Sequence, residues 1–171
     1  MSESSERGRV VVGVDGSAGS LAALQFAFDE ATRRDTGLLV VTAFELPDVW
    51  SIAYALPVSC SVDEIRDNVL RNTRRLVTEA LGDQMTAEGA PKVDVVAVGG
   101  SAAHVLVSAA AGNSVLVVGS RGLGGFRRML LGSVSLQCVQ HALCPITVVH
   151  SAEDHNRWQT PEMAGAPAAI L

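Results

Sequence analysis

At 171 residues the chain has one domain's worth of sequence and enough length for a substantial core. Hydrophobic residues make up 48% and aromatics only 4%, so the core must be aliphatic, packed between layers as in α/β proteins. A formal net charge of −5, with 13 scattered basic residues, argues against nucleic acid or an anionic membrane as the main partner.

Residues 1–8 are polar and are expected to be disordered. Arg9-Val10-Val11-Val12-Gly13-Val14 is a continuous apolar run of the kind found in buried parallel strands, and Asp15-Gly16-Ser17 ends it. From Ser17 the period changes: Leu21, Leu24, Phe28 and Ala31 recur at helical spacing, with Arg33, Arg34 and Asp35 on the wet side, in a helix that closes near Gly37. Leu38 to Phe44 reads as the second strand, and the Pro-bounded stretch from Glu45 to Cys60, with Trp50 and Tyr54, as an irregular loop. Ser61-Val62-Asp63-Glu64 matches a capping box, in which the serine and the glutamate satisfy each other's backbone donors. A second helix therefore starts there, buries Ile65, Val69, Leu76 and Ala80, and ends near Gly82. Val93 to Val98 is the third strand. Ser101 is the N-cap of a helix running through Val105, Leu106 and Ala109 to Gly112. Ser114 to Val118 is the fourth strand, Ser133 to about Leu143 the last helix, and Pro145 to His150 the fifth strand. The domain thus covers residues 9–150, and residues 151–171, with Pro161, Gly165 and Pro167, read as a loosely attached extension.

Five apolar strands joined by helices imply a parallel sheet covered on both faces with right-handed crossovers. In the order 3-2-1-4-5, strands one and four lie side by side where the strand order reverses, and ligands bind beyond the C-terminal strand ends at such a point. Asp15 then stands beside the segment that follows strand four. That segment, Val115 to Ser135, reads VLVVGSRGLGGFRRMLLGSVS. Gly119, Gly122, Gly124, Gly125 and Gly132-Ser133 concentrate bare backbone between a strand and a helix. Glycine permits positive φ and close approach, and turn N–H groups with a helix N-terminus make a concave site for phosphate. Arg121, Arg127 and Arg128 add charge; arginines in a loop either reach phosphate or are simply solvated. The bland reading is a flexible glycine-rich turn.

The segment is neither G-x-x-x-x-G-K-[ST] nor a dinucleotide fingerprint after the first strand. Its spacing, Gly119-x2-Gly122-x9-Gly132-Ser133, resembles the nucleotide-binding signature of the universal stress protein family. The resemblance runs from about Val10 to His150 and includes Val12-Gly13-Val14-Asp15-Gly16-Ser17, Val117 to Gly122, Leu131-Gly132-Ser133 and Cys144-Pro145-Ile146. It implies the adenine-nucleotide α-hydrolase-like fold, a three-layer α/β sheet, and ATP, carried with Mg2+ or Mn2+, as ligand. By position it implies that Gly119, Gly122, Gly132, Ser133, Val134 and Ser135, with Arg121 beside them, hold the phosphates and ribose. Gly13, Asp15 and Ala43 would line the adenine and ribose end. At Ala43 many family members carry a larger aliphatic residue, which implies a looser adenine pocket; Asn113, where an acidic residue often stands, is a neutral change.

Other readings compete at several of these positions. An aspartate after a strand also caps the next helix, and Ser17 reads as a cap rather than a ligand. Ser133, after a glycine at a helix start, suits donation to phosphate better than nucleophilic attack. His104 reads as a surface histidine and His141 and His150 lie beyond the loop, so no catalytic residue is indicated. Cys60, Cys138 and Cys144 lack C-x-x-C spacing, which indicates neither a disulfide framework nor a zinc site. With no apolar signal core and no run near the ~20 residues of a membrane helix, a cytoplasmic protein is expected.

The expected function is an ATP-dependent regulatory protein of the stress-response type, with an unidentified protein partner. One alternative is a slow ATPase or related ATP-using enzyme of the wider superfamily, whose Ser-Gly-Gly-x-Asp-Ser loop Val14-Asp15-Gly16-Ser17 resembles only faintly. Another is an interaction protein that has lost the ligand, against which the intact glycines argue. The fifth strand, at the sheet edge without an internal Pro or Lys, is an open template for pairing. It predicts an antiparallel homodimer, unless the tail after Ser151 folds back over the edge.

Overall fold

The computed structural model describes residues 8–45, 61–123 and 131–151. The expected disordered N-terminus, the loop after Glu45, the arginines at 127 and 128 and the C-terminal extension fall almost wholly outside these residues. Gly8 does not: a Cβ there would lie 2.7 Å from Ser114 N, so it is packed against the chain before the fourth strand.

The elements run β1 (Val10–Gly13), α1 (Ala18–Arg34), β2 (Leu38–Phe44), α2 (Val62–Leu81), a 3-10 turn (Gly82–Thr86), β3 (Val93–Gly99), α3 (Ala102–Ala110), β4 (Val115–Gly119), α4 (Ser133–His141) and β5 (Ile146–Val149). All strand pairs are parallel, in the order β3-β2-β1-β4-β5. Val12 on the central strand pairs with Val40 on one side and Val117 on the other. Successive residues of a strand face opposite layers. Val10 and Val12 pack with Leu24, Phe28, Val77 and Leu81 beneath α1 and α2. Val11 packs with Leu39, Leu116, Leu106 and Cys138 beneath α3 and α4. Burial on both faces is why β1 reads as an unbroken valine run, and each such side chain contributes about 1.5–3 kcal/mol.

The helix starts follow their capping residues. Ser17 accepts the Ser20 N–H at 3.2 Å and opens α1. Ser61 and Glu64 form the expected box, at 2.8 and 3.1 Å. Ser101 stands at the N-cap of α3 without a side-chain hydrogen bond.

Two boundaries are sharper than expected and one face differs. Helix α1 closes at Asp35, just before Gly37, because Asp35 takes the left-handed conformation (φ 51, ψ 52) that aspartate tolerates. Gly37 instead belongs to the link into β2, its carbonyl accepting from Val10 N–H at 3.0 Å. On α2 the buried residues are Thr73, Val77 and Leu81, while Ala80 is exposed. The stripe passes through a threonine whose hydroxyl donates to Val69 O at 2.9 Å, so a polar residue sits inward at little cost. Helix α4 stops at His141, where Ala142 turns extended (φ −66, ψ 137) ahead of the Cys144-Pro145 pair, whose cysteine is itself steered away from helical geometry.

Candidate functional site

A cavity of about 400 Å³ opens beyond the C-terminal ends of β1 and β4, within the usual range for small-molecule sites. All ten residues singled out in the sequence line it. Gly13 and Asp15 come from the end of β1, Ala43 from β2, Gly119, Arg121 and Gly122 from the exit of β4, and Gly132, Ser133, Val134 and Ser135 from the start of α4. Seven others line it as well: Val14, Val118 and Leu123 lie beside the residues singled out, whereas nothing local marked Ser20, Val41, Ala102 and Leu106. Crossovers bring Val41, Ala102 and Leu106 there.

One end of the cavity is apolar, walled by Val41, Ala43, Ala102, Leu106 and Val118. Leu106 lies so close to Gly13 that a Cβ there would be 2.7 Å from its Cδ1. The backbone supplies polarity. Val14 N–H donates to Val41 O at 2.9 Å, and Gly100 N–H donates to Phe44 O at 2.9 Å, so odd residues of β2 turn towards β1 and even ones towards β3. Ala43 therefore aims its N–H and C=O to the β1 side, past Gly13, the last β1 residue paired with β2. The Val14 carbonyl is engaged elsewhere, by the Thr42 hydroxyl.

The other end is built on the start of α4. Gly132 is its N-cap, extended at φ −67 and ψ 159, with no side-chain hydrogen bond. Its own N–H donates to Ser120 O at 2.7 Å, pinning the helix start to the end of β4. The N–H groups of Ser133, Val134 and Ser135 occupy the first helical turn, which has no intrahelical partners to offer them. Ser135 contributes less than its side chain suggested. It is buried, and its hydroxyl donates to Gly119 O at 2.6 Å, so the proton is committed to the fold.

The glycines separate into different roles. A Cβ on Gly119 would lie 2.5 Å from Gly19 C, and one on Gly19 would lie 2.6 Å from Arg121 O. The first glycine of the spacing thus admits the α1 backbone against the end of β4. A Cβ on Gly122 would meet Asp15 Oδ2 at 2.5 Å, whereas one on Gly132 would come no closer than 3.4 Å to any neighbour. None of the three has a positive φ; that conformation falls on Gly16, at φ 87 in the turn after β1. Close approach, rather than left-handed backbone, is what these positions use.

Asp15 is not the cap of α1, since Ser17 is. Its Oδ1 accepts from Ser17 N–H at 2.9 Å and Ser17 Oγ–H at 2.6 Å, and its Oδ2 accepts from Leu123 N–H at 3.1 Å. The carboxylate clasps the β1–α1 turn to the loop after β4. Partial desolvation pushes its pKa up, but hydrogen bonds from Ser17, Ser20 and Leu123 together outweigh that and hold it below the ordinary 3.8. Arg121, half-buried, stands on the same loop. Among the described residues no cluster of His, Cys, Asp or Glu is placed to hold a metal ion, and His104, His141 and His150 are exposed. Cys138 and Cys144 are free thiols, and burial raises the Cys138 pKa to about 11. No helix among the described residues is long and apolar enough to cross a membrane.

Comparison with known proteins gives a consistent picture. The sequence model of the Universal stress protein family matches residues 6–150. Universal stress protein YxiE of Bacillus subtilis is 30% identical over 151 residues, covering 82% of this chain and 97% of that protein. Universal stress protein Rv2624c of Mycobacterium tuberculosis is 28% identical over 162 residues, covering 92% of this chain but 55% of its own length. The chain therefore spans about half the length of that relative. Among solved structures, a universal stress protein in complex with cAMP superposes with a TM-score of 0.56 at 26% identity, over 85% of this chain and 98% of the other.

Proposed function

The chain belongs to the universal stress protein family, and from that premise we propose that it is a cytoplasmic regulatory protein that binds ATP in the cavity between Ala43 and the start of α4. The observation that carries this reading is the uncapped N-terminus of α4 facing the cavity, a ready site for phosphate oxygens. At the opposite end, the Ala43 C=O accepts from the adenine 6-amino group and its N–H donates to N1. Guanine presents an acceptor and a donor at those two places, so the same backbone pair disfavours it. That a relative is solved with cAMP supports an adenine nucleotide. The divalent cation, Mg2+ or Mn2+, comes on the phosphates; Asp15 is the cavity lining's carboxylate.

The protein is a binding module first. The described lining offers no histidine or cysteine to act as base or nucleophile, so turnover is expected below about 1 per second, the low end for committed enzymes. Occupancy is read out through a homodimer and through an unidentified protein partner. The dimer forms at β5. Pro145 O and Val149 O accept from β4, at Leu116 N and Ser120 N, so Ile146 and Val148 direct their N–H and C=O outward from the sheet edge. Calorimetry with Mg-ATP and Mg-GTP tests the nucleotide reading: ATP binds at least about tenfold more tightly, a difference of one well-placed hydrogen bond. Equal affinity for the two, or ATP hydrolysis at tens per second, would overturn it.

A further inference from the structure

The sheet has another free edge at β3, on the side away from β5, and no described residue forms a strand beyond it. Its ladder with β2 is unbroken from Val93 to Gly99. Leu38 N–H donates to Lys92 O and Gly100 N–H to Phe44 O, each at 2.9 Å, so the even residues of β3 turn their backbones to β2. Val93, Val95, Ala97 and Gly99 therefore direct their N–H and C=O groups outward, a longer row than Ile146 and Val148 offer on β5. No proline or lysine interrupts the strand to guard it.

A groove of about 650 Å³ follows this edge, with Val93, Val95 and Val96 along the strand and Arg74, Val77 and Met85 along its wall. Its charge is positive, although the chain as a whole carries −5. Arg9 and Arg74 line it with one carboxylate, Asp94, and Arg9 and Lys92 already share that carboxylate, each at 3.3 Å. Arg71 lies one turn before Arg74 on the same side of α2, and both are exposed. Among the described residues neither has a carboxylate partner, whereas Arg66 and Arg75 do.

Backbone and charge together identify the occupant. Open ladder groups call for an extended chain, and a strand added there sends alternate side chains to opposite layers. One set reaches the α2 side, where Arg71 and Arg74 call for carboxylates. The other set lies beside Val96 and the 40% exposed Val98, which call for apolar groups. A second copy is a poor match. Antiparallel pairing of two β3 edges needs a two-fold axis perpendicular to the sheet, which puts both α2 helices on one side with their arginines facing across the seam.

We propose that the β3 edge docks an extended acidic segment of a partner protein, whose carboxylates alternate with apolar side chains, as a further strand of the sheet. The groove shares no lining residue with the nucleotide cavity, so the proposal stands independently of nucleotide binding. Fluorescence anisotropy of the full chain with a short dye-labelled peptide alternating glutamate and valine tests it, against one alternating lysine and valine. The acidic peptide binds at least about tenfold more tightly and slows hydrogen exchange at the Val93, Val95 and Ala97 amides. Joint Arg71→Glu and Arg74→Glu replacement weakens it by at least about tenfold. Ala97→Pro does the same with the fold kept by circular dichroism, because the proton it removes points away from β2. Should Ala97→Pro fail to fold, the arginine variant and the amide protection decide the matter. No binding of the acidic peptide, equal binding of the two peptides, or binding that leaves those amides unprotected overturns the proposal. If the acidic peptide binds only after removal of residues 152–171, the chain's own tail is the occupant and the proposal is wrong.

Discussion

Two strand-to-helix turns meet at the point where the strand order reverses, and they are built in opposite ways. After β1 the chain closes on itself: Ser17 caps α1, Asp15 binds the Ser17 N–H and hydroxyl, and Ser20 returns its hydroxyl to Ser17 O at 3.0 Å. After β4 the chain leaves the start of α4 without a side-chain cap, at a bare Gly132 beside a cavity. The first turn meets its own hydrogen-bonding demands, while the second leaves donors that a ligand can satisfy. A self-sufficient turn needs no ligand, whereas an open one can accept one.

The largest expected break in that contrast lies at Gly119, which serves the closed turn although it sits in the open one. Gly119→Ala forces a Cβ to within 2.5 Å of the Gly19 backbone. Backbone cannot step aside as a side-chain tip can, so the cost is at least about 3 kcal/mol, the upper range for overpacking. Denaturant unfolding reads it directly, and a loss under about 1 kcal/mol would mean that α1 is not held where described. Next comes Ser135→Ala, which leaves the Gly119 carbonyl without its buried donor. It should cost about 1–3 kcal/mol and weaken nucleotide binding only through misplacement of α4. A drop in affinity with no change in stability would instead give the hydroxyl a direct ligand role.

The smallest effect concerns the clasp between the two turns. Asp15 has its pKa held below the ordinary 3.8 in the folded chain, so its contribution is present above that value and is lost as pH falls through the folded one. Asp15→Asn should flatten this part of the acid-unfolding curve below about pH 4 and lower stability near neutrality by the amount that the wild type loses through this group on acidification. An identical acid profile for the two proteins would show that the Leu123 and Ser17 bonds carry no net weight.

Much of the framework was legible because its causes are local. Continuous valine runs announced buried parallel strands, and Ser17 and Ser61 announced helix starts through bonds made within three residues. What was hidden depends on distant partners. The apolar spacing along α2 could not show that Thr73 is the inward residue, because its hydroxyl is satisfied by Val69 O one turn back. Nothing near Gly119 in the chain reveals that Gly19 lies against it, and nothing near Leu106 or Ala102 marks them as cavity wall. The glycine spacing pointed to residues that line the cavity but merged three duties. Gly119 admits α1, Gly122 gives room to the Asp15 carboxylate, and Gly132 alone keeps bare backbone without a steric demand from the protein itself.

Gly132 is for that reason where the central claim is most exposed. A side chain there meets no neighbour closer than 3.4 Å, so Gly132→Val should keep the fold, yet it places a branched group where phosphate must reach the first turn of α4. Calorimetric titration of the wild type and Gly132→Val with Mg-ATP, on samples shown to unfold at similar denaturant concentration, is the direct test. Binding by the wild type and its loss by at least about a hundredfold in the variant is the predicted result. Equal binding by both proteins would contradict the placement of the phosphates at the open end of α4.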